Sequence, residues 1–356
     1  MVNNDLQLHE IASTDLEEVS GFISRVSGSE VPFAGAVERL SWLLLENPAR
    51  EPGLPLGWCL RTQSGEVVGC MCCAPQKFCV GQSTFILMMA NSFYVDATHR
   101  GSGTSIFLKY LQLGRRYPLF VSSANATVAR MWQKLGGYSL GHSDREVLGV
   151  LCWQPVLAER VYRKINRENL ARTAATLAAP LFHALRRLPK GNTGSEFVAL
   201  ASPEQAATLC VDFPCDQITS SRDASYLRWR YFSRVDPTTR LFAFRERDGA
   251  RQRLVGVNLR NRGYRQQIRT VQVLDVWGEV DPESYGAIAR CLIQEYGERI
   301  DMLVFRCLDD AAQRALTDEG FLVRRFAAPI AWCIDKFGLL PNRRWHLVPA
   351  DGDMWL

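Results

Sequence analysis

The chain lacks a metal-ligand pattern. Its one group of cysteines, Cys70, Cys72, Cys73 and Cys79, follows a C-x-C-C-x5-C spacing that matches no zinc motif, and no histidine stands beside it. These residues read as small apolar side chains on a strand, so no metal is expected. The opening Met1-Val2-Asn3-Asn4-Asp5 has neither the basic region nor the apolar core of a signal peptide. The eleven cysteines are therefore expected as free thiols in a reducing, cytoplasmic compartment. The longest uncharged run, from Phe78 to Val95, is broken by Gly81, Gln82, Ser83, Thr84, Asn91 and Ser92. It reads as a buried strand region and not as a membrane span. Neither the G-K-[ST] of a P-loop nor the G-x-G-x-x-G dinucleotide fingerprint is present.

What is present is ordinary in bulk. At 47% apolar and 22% charged residues the composition is that of a globular protein, and 356 residues suit two domains better than one.

The distinctive stretch runs from Phe93 to Ile106. A β-rich run, Phe85 to Val95, leads into Arg100-Gly101-Ser102-Gly103-Thr104-Ser105, and a helical pattern through Ile106, Leu108, Leu111 and Leu113 follows. Glycine lets such a turn approach a ligand closely, and the first helical turn offers unpaired N–H groups and a positive dipole end. With Arg100 alongside, this is a phosphate or pyrophosphate site; the same residues also suit a plain turn.

These residues resemble the acyl-CoA loop of the GNAT-type N-acetyltransferase superfamily, R/Q-x-x-G-x-G/A between a strand and a helix. The match falls on Arg100, Gly103 and Ser105, with serine where the family has glycine or alanine. Downstream, Asn125-Ala126-Thr127-Val128-Ala129 to Leu135-Gly136-Gly137-Tyr138 is similar to the family's N-x-x-A…G-F helix, after a strand-like Tyr117 to Ser122.

The second half repeats the first. Trp42 and Trp229 are 187 residues apart, as are Gly69 and Gly256, and Tyr138 and Phe321 are 183 apart. A near-constant offset marks a duplicated unit. The expected architecture is mixed α/β: two tandem GNAT-like domains, each a central twisted mixed sheet flanked by helices. The units are 1–155 with the acyl-CoA loop, a linker 156–195, and a degenerate second domain 196–356. In the second half the corresponding loop, Trp277-Gly278-Glu279-Val280-Asp281, has no arginine or paired glycines, and its acids would repel phosphate.

Within the first unit, helices are expected over Asp15–Val26, with Thr14 as cap, and over Ala36–Leu45. A hairpin should join Gly57–Leu60 to Val67–Cys73, and a closing hairpin should span Tyr138 to Trp153. The linker carries eight basic residues (Arg160, Arg163, Lys164, Arg167, Arg172, Arg186, Arg187, Lys190) against Glu159 and Glu168, a surplus larger than the whole chain's +5. Leu170, Ala174, Leu177, Leu181, Leu185 and Leu188 form one stripe, interrupted by Pro180. Two readings stand: a helix packed on both domains, or a basic amphipathic surface helix touching anionic lipid through 160–190, at the inner face of the membrane. Residues 190–195 read as a flexible link. The tail from Arg343 to Asp353 packs back or closes a cleft.

The resemblance implies acyl transfer from acetyl-CoA or another acyl-CoA to a primary amine. It implies that the backbone of Tyr94 and Val95 holds the thioester and pantetheine, that Arg100, Gly101, Ser102, Gly103, Thr104 and Ser105 hold the pyrophosphate, and that Asn125 contacts the coenzyme arm. Tyr94 and Val95 equally suit core strand positions, and Asn125 a helix cap. The family's acidic tyrosine is replaced by Trp132, which cannot donate a proton to a thiolate, and its glutamate is absent. Asn91 and Tyr138 are the remaining catalytic candidates, and His99 reads as solvent-facing. Trp58, Phe78 and Met88 line an acyl pocket or belong to the core. Tyr226-Leu227-Arg228-Trp229-Arg230-Tyr231 looks similar to a segment of tandem proteins linked to surface polysaccharide, which implies an amino-sugar acceptor; by its pattern it is a helix packed inward. Two alternatives remain open: a non-catalytic CoA-binding or scaffold protein, and an aminoacyl transferase of the same duplicated fold that uses transfer RNA. Nucleic acid is not the favoured partner, since the charge is confined to the linker.

Overall fold

A computed structural model of the chain describes residues 6–27, 33–185, 188, 194–210, 217–233, 235, 237–246, 252–263, 267–278, 281–338, 340 and 344–351. Arg186, Arg187, Lys190, Glu279, Arg343, Gly352 and Asp353, and most of the 190–195 link, lie outside them.

The first half supplies β1 (Leu6–Glu10), α1 (Leu16–Ser27), α2 (Phe33–Leu44), β2 (Gly57–Thr62), β3 (Val67–Val80), β4 (Ser83–Val95), α3 (Gly103–Leu113), β5 (Leu119–Val121), α4 (Ala126–Lys134), β6 (Tyr138–Ser139) and β7 (Arg145–Val150). A helical hairpin follows, α5 (Trp153–Ile165) and α6 (Glu168–Leu185). The second half supplies β8 (Glu196–Ala199), α7 (Pro203–Ala207), β9 (Gln217–Ser220), α8 (Ala224–Tyr231), β10 (Thr239–Arg245), β11 (Gln252–Arg262), β12 (Ile268–Trp277), α9 (Pro282–Tyr296), β13 (Met302–Arg306), α10 (Asp310–Asp318), β14 (Leu322–Arg325), β15 (Trp332–Ile334) and β16 (Arg344–Trp345). Thr14 does not cap α1; it lies in a 3₁₀ turn, Ser13–Asp15, that leads into the helix.

Two mixed sheets result. One runs β1-β2-β3-β4-β5-β15-β6, with the short β9–β16 pair attached to β3; the other runs β14-β7-β13-β12-β11-β10-β8. The expected closing hairpin does not form. β6 stays in the first sheet, whereas β7 crosses to the second and pairs with β13 and β14. In return β15 crosses back and lies between β5 and β6. Gly141 at positive φ and a turn at 141–144 separate β6 from β7, so the chain leaves one sheet for the other there.

One face of the first sheet packs on α3 and α4 through Ile106, Phe107, Tyr110, Ala129 and Trp132. Its other face, with α1 and α2, shares one continuous core with α8 and the second sheet, including Trp42, Leu44, Phe78, Leu227, Trp229 and Leu254. The far face of the second sheet packs on α9 and α10. Trp58, Phe78 and Met88 are core residues.

The linker differs from the reading in which its leucine stripe packs inward on both domains. Ala171, Ala175 and Ala179 are buried positions of α6, and Ala175 and Ala179 pack with Trp153 and Leu157 of α5. Small residues let two helices approach, and the larger leucines then point away: Leu170, Leu177 and Leu181 are 53%, 78% and 60% exposed. Among the described residues no helix is long and apolar enough to cross a membrane.

Candidate functional site

The site begins with a break in sheet regularity. Cys70 pairs with Tyr94 and Cys72 with Asn91, so Met71 faces two residues of β4, Ser92 and Phe93. This is a β-bulge, and it puts Ser92 at φ 50°, rare for a residue with a Cβ. Beyond the bulge β4 and β5 part. Their parallel register is confined to Met88 with Leu119 and Met89 with Phe120. The gap opens into a cavity of about 520 Å³. Ala90, Asn91, Ser92, Phe93 and Tyr94 form one side of it, Val121, Ser123, Ala124 and Asn125 another, and α1 and α2 close it with Ser20, Ser24, Arg39 and Leu40.

At the end of β4 the chain enters a 3₁₀ turn over Ala97–Ser102, where an open loop was expected. Asp96 caps it by accepting from the Thr98 backbone N–H, and this bond, with the Thr98 hydroxyl, holds the Asp96 carboxyl below the usual range. Helix α3 starts at Gly103; the preceding Ser102 makes no side-chain cap, and the Gly103 N–H is taken by the Arg100 carbonyl, so what this turn offers an anion is the positive end of the helix. A Cβ on Gly103 would stand 2.9 Å from Val95 Cγ2, which explains glycine there: the helix start is pressed against the strand. Arg100 is exposed, and Ser105 donates its hydroxyl to the Ser102 carbonyl at 2.7 Å. His99 is half-buried and lies 2.8 Å from the Thr98 hydroxyl.

Asn91, Tyr94 and Asn125 are brought together around this cavity. Asn125 caps α4, its Oδ1 accepting from Thr127 and Val128 at 3.0 Å, so it serves as a helix cap while bordering the cleft. Asn91 is 2% exposed, and neither its Nδ2 nor its Oδ1 has a protein partner. An orphaned buried amide is costly, and here it faces the cavity. Tyr138 is not part of the group. It lines a different cavity, and burial, with the Cys333 thiol next, raises its phenol far above the ordinary range. Trp132 fills its part of the cleft wall and is buried. Arg39 and the bulged Ser92 were not foreseen; a helix arginine and a strand serine carry no mark that sets them apart in sequence.

The second half has a counterpart cavity of about 410 Å³ between β12 and β13. There β12 is bulged opposite the Gly256/Val257 step. Asp309 caps α10 as Asn125 caps α4. Where α1 and α2 line the first-half cavity, residues 344–349 near the chain's end line this one, with Trp345, His346, Leu347 and Val348 among them. The end is locked by a buried network in which Arg222 pairs with Asp275 and Asp351, each at 2.7 Å. Asp281 stands at the N-cap of α9, where the first half has Ser102 and no acid. Among the described residues no group of histidine, cysteine and acidic side chains could hold a metal, and the cysteines of β3 are buried free thiols apart from half-buried Cys79.

No family model matches the chain, and no curated protein does. Solved structures do. Saccharomyces cerevisiae N-myristoyltransferase with bound myristoyl-CoA and inhibitors is similar over 94% of this chain and 81% of its own, at 10% identity and a TM-score of 0.59. A conserved protein of unknown function from Enterococcus faecalis V583, labelled a probable N-acyltransferase, matches over 92% and 72% at 10% identity and TM-score 0.56. A GCN5-related N-acetyltransferase from Anabaena variabilis matches over 93% and 72% at 12% identity and TM-score 0.53. Bulged central strand, splayed neighbour and strand–turn–helix recur in both halves of the chain, and its fold is the duplicated GNAT fold.

Proposed function

We propose that the chain is an acyl-CoA-dependent N-acyltransferase whose working site is the first-half cleft. The observation that carries this reading is the cavity between the parted ends of β4 and β5, whose wall includes Phe93, a neighbour of Gly103 at the glycine-tight start of α3. Arg100 and the positive end of α3, reached through the turn from Gly101 to Ser105, hold the pyrophosphate of acetyl-CoA or a longer acyl-CoA. The β4 backbone at Tyr94 and Val95 holds the thioester arm, and Asn125 borders it. Solved relatives of the same fold contain myristoyl-CoA, which supports an acyl-CoA co-substrate.

The chemistry rests on positioning. Asn91 cannot exchange protons at neutral pH, but its free amide can orient the amine or a water that takes the amine's proton. The amine attacks the thioester carbonyl, the tetrahedral intermediate collapses to amide and thiolate, and the thiolate is protonated from solvent. Tyr138, in the other cavity, takes no step. An amino sugar is one candidate acceptor, suggested by the Tyr226–Tyr231 resemblance alone. That segment is buried apart from Arg228, so it acts as core and does not touch the acceptor. The exposed leucines of α6, with Arg160, Arg163, Lys164, Arg167 and Arg172 nearby in sequence, suit peripheral contact with an anionic membrane at its cytoplasmic face.

A second reading, a CoA-binding scaffold without turnover, is favoured by the absence of a carboxylate or histidine among the described residues lining the cleft. Calorimetric titration of acetyl-CoA into the intact chain and into an Arg100→Glu, Gly103→Trp variant decides the site. Micromolar binding lost in the variant is expected. Absence of binding in the intact chain overturns both readings; binding without acyl transfer to any amine in a broad screen leaves the scaffold.

A further inference from the structure

Side chains alternate along the strands of the first sheet. Met71, Ala90 and Val121 point to α3 and α4. Cys72, Met89 and Phe120 point to the core shared with the second half. The first-half cavity is lined from both faces. Met71, Ala90 and Val121 meet it on one, together with Phe107 of α3 and Val128 and Trp132 of α4. Ser20, Ser24 and Arg39 of α1 and α2 meet it on the other, with Asn91, the next residue after Ala90 on β4. The cavity therefore passes between the parted strands, from one face of the sheet to the other.

The two sides differ in chemistry. The α3–α4 side is walled by aliphatic, thioether and aromatic groups. The hydroxyls of α1, the Asn91 amide and the Arg39 guanidinium belong to the opposite side, Ser92 to the bulge, and Ser123 and Asn125 to the loop between β5 and α4. The apolar wall is also held in place. Tyr110 donates its hydroxyl to the Met88 carbonyl at 2.7 Å and packs its ring 6.2 Å, centre to centre, from both Phe107 and Trp132.

An apolar cavity holds water poorly and takes hydrocarbon instead. Helix α3 begins at Gly103, which stands against Phe93, and Phe93 lines the same cavity. A coenzyme held at that helix start delivers its acyl group into the gap between β4 and β5. An acetyl group adds a single methyl beyond the carbonyl and leaves most of this wall bare. Each further methylene that enters covers more of it, for the same reason that core side chains are buried. We propose that the α3–α4 side of the cavity is an acyl pocket, and that the acyl group transferred is a hydrocarbon chain longer than acetyl. The acceptor amine then enters from the hydroxyl-lined side of α1 and α2. In the transfer the bond from amine nitrogen to acyl carbon forms, the carbon–sulfur bond breaks, the amine's proton passes to water and the coenzyme leaves as its thiolate. This inference rests on the cleft being the acyl-transfer site.

The test keeps the two apart. Dissociation constants of acetyl-CoA and octanoyl-CoA are measured by calorimetry on the intact chain and on Val128→Phe and Ala90→Phe, which fill the pocket from the helix and from the strand. Each methylene that enters tightens binding by about fourfold, so burial of only the first two makes octanoyl-CoA bind about tenfold or more tighter than acetyl-CoA. That preference is expected in the intact chain. It is expected to fall below about threefold in the filled variants, with acetyl-CoA binding within about threefold of the intact chain, which also reports that the variant is folded. Equal affinity for the two thioesters in the intact chain overturns the pocket and leaves the acyltransferase reading standing. A long-chain preference that neither substitution reduces places the chain elsewhere and overturns it as well. Binding of neither thioester removes the coenzyme site, and the pocket with it.

Discussion

Trp42 and Trp229 lie face to face, ring centres 4.5 Å apart and planes 17° from parallel, and each indole N–H donates to the other's backbone carbonyl at 2.9 Å. Each residue does for its partner what the partner does for it, so a local two-fold axis passes between them. The 187-residue offset in the sequence is thus a symmetry element in the folded chain. Arg230, fully buried, lies over both rings at 5.6 and 5.5 Å. Trp42→Ala or Trp229→Ala leaves a cavity and orphans a carbonyl. Either should cost about 3–5 kcal/mol in urea unfolding, and the double variant should cost clearly less than the sum. Strict additivity would refute the reciprocal contact.

The lock on the chain's end gives a second expectation. Asp275→Asn leaves the buried Arg222 with one carboxylate fewer, and loss of one partner of a buried pair costs about 3–5 kcal/mol. Denaturant unfolding measures it. A cost below about 1 kcal/mol would mean that the pair is not dry, since that is the range of exposed pairs.

His346 gives a pH dependence. Burial lowers its pKa below the ordinary value, and its Nε2 lies 3.0 Å from the Val276 carbonyl. The folded chain holds the ring neutral more firmly than the unfolded one. Its contribution to stability is therefore complete above about pH 6.5 and declines as pH falls below that value toward the lower folded pKa. The slope of stability against pH in this window should be smaller in His346→Gln, measured by thermal unfolding from pH 7.5 downward, about one unit to either side of 6.5.

Asn91 separates stability from function. Replacing an orphaned amide by an apolar isostere, Asn91→Leu, should leave stability unchanged or raise it by about 1 kcal/mol, while acyl transfer falls and acetyl-CoA binding persists. Loss of stability on substitution would show that the amide has a structural partner.

The outward leucines of α6 predict selective lipid binding. Vesicles with phosphatidylserine should sediment with the chain and neutral vesicles should not, and Leu177→Glu should abolish the difference without changing the melting temperature. Equal sedimentation with both vesicle types would remove the membrane reading.

The loop from Arg100 to Ser105, the cap at Asn125 and the doubled plan were legible in sequence because each rests on local chemistry: a glycine pressed on a strand, an asparagine at a helix start, a repeated tryptophan. Tyr138 was drawn toward the wrong cavity because its place depends on which sheet the following strand joins, a long-range choice with no local mark. One of the two readings put the leucines of α6 on a buried face, because periodicity alone cannot tell a leucine stripe from the alanine stripe beside it. The ion pairs of buried Glu146 escaped for the same reason as Tyr138: Glu146 meets Arg262, Arg306 and Arg324 across 116 to 178 residues of chain only after β7 has changed sheets.

That change of sheets governs how the protein can be made. While residues up to 155 emerge during synthesis, the first sheet has a vacant slot between β5 and β6 that Trp332–Ile334 alone fills, and β7 waits for partners that are not yet translated. Neither half closes before the other has been made. Completion of the first sheet waits for Trp332–Ile334, and an expression system that splits the gene near the midpoint yields two sheets with open seams, prone to pair with the seams of other copies.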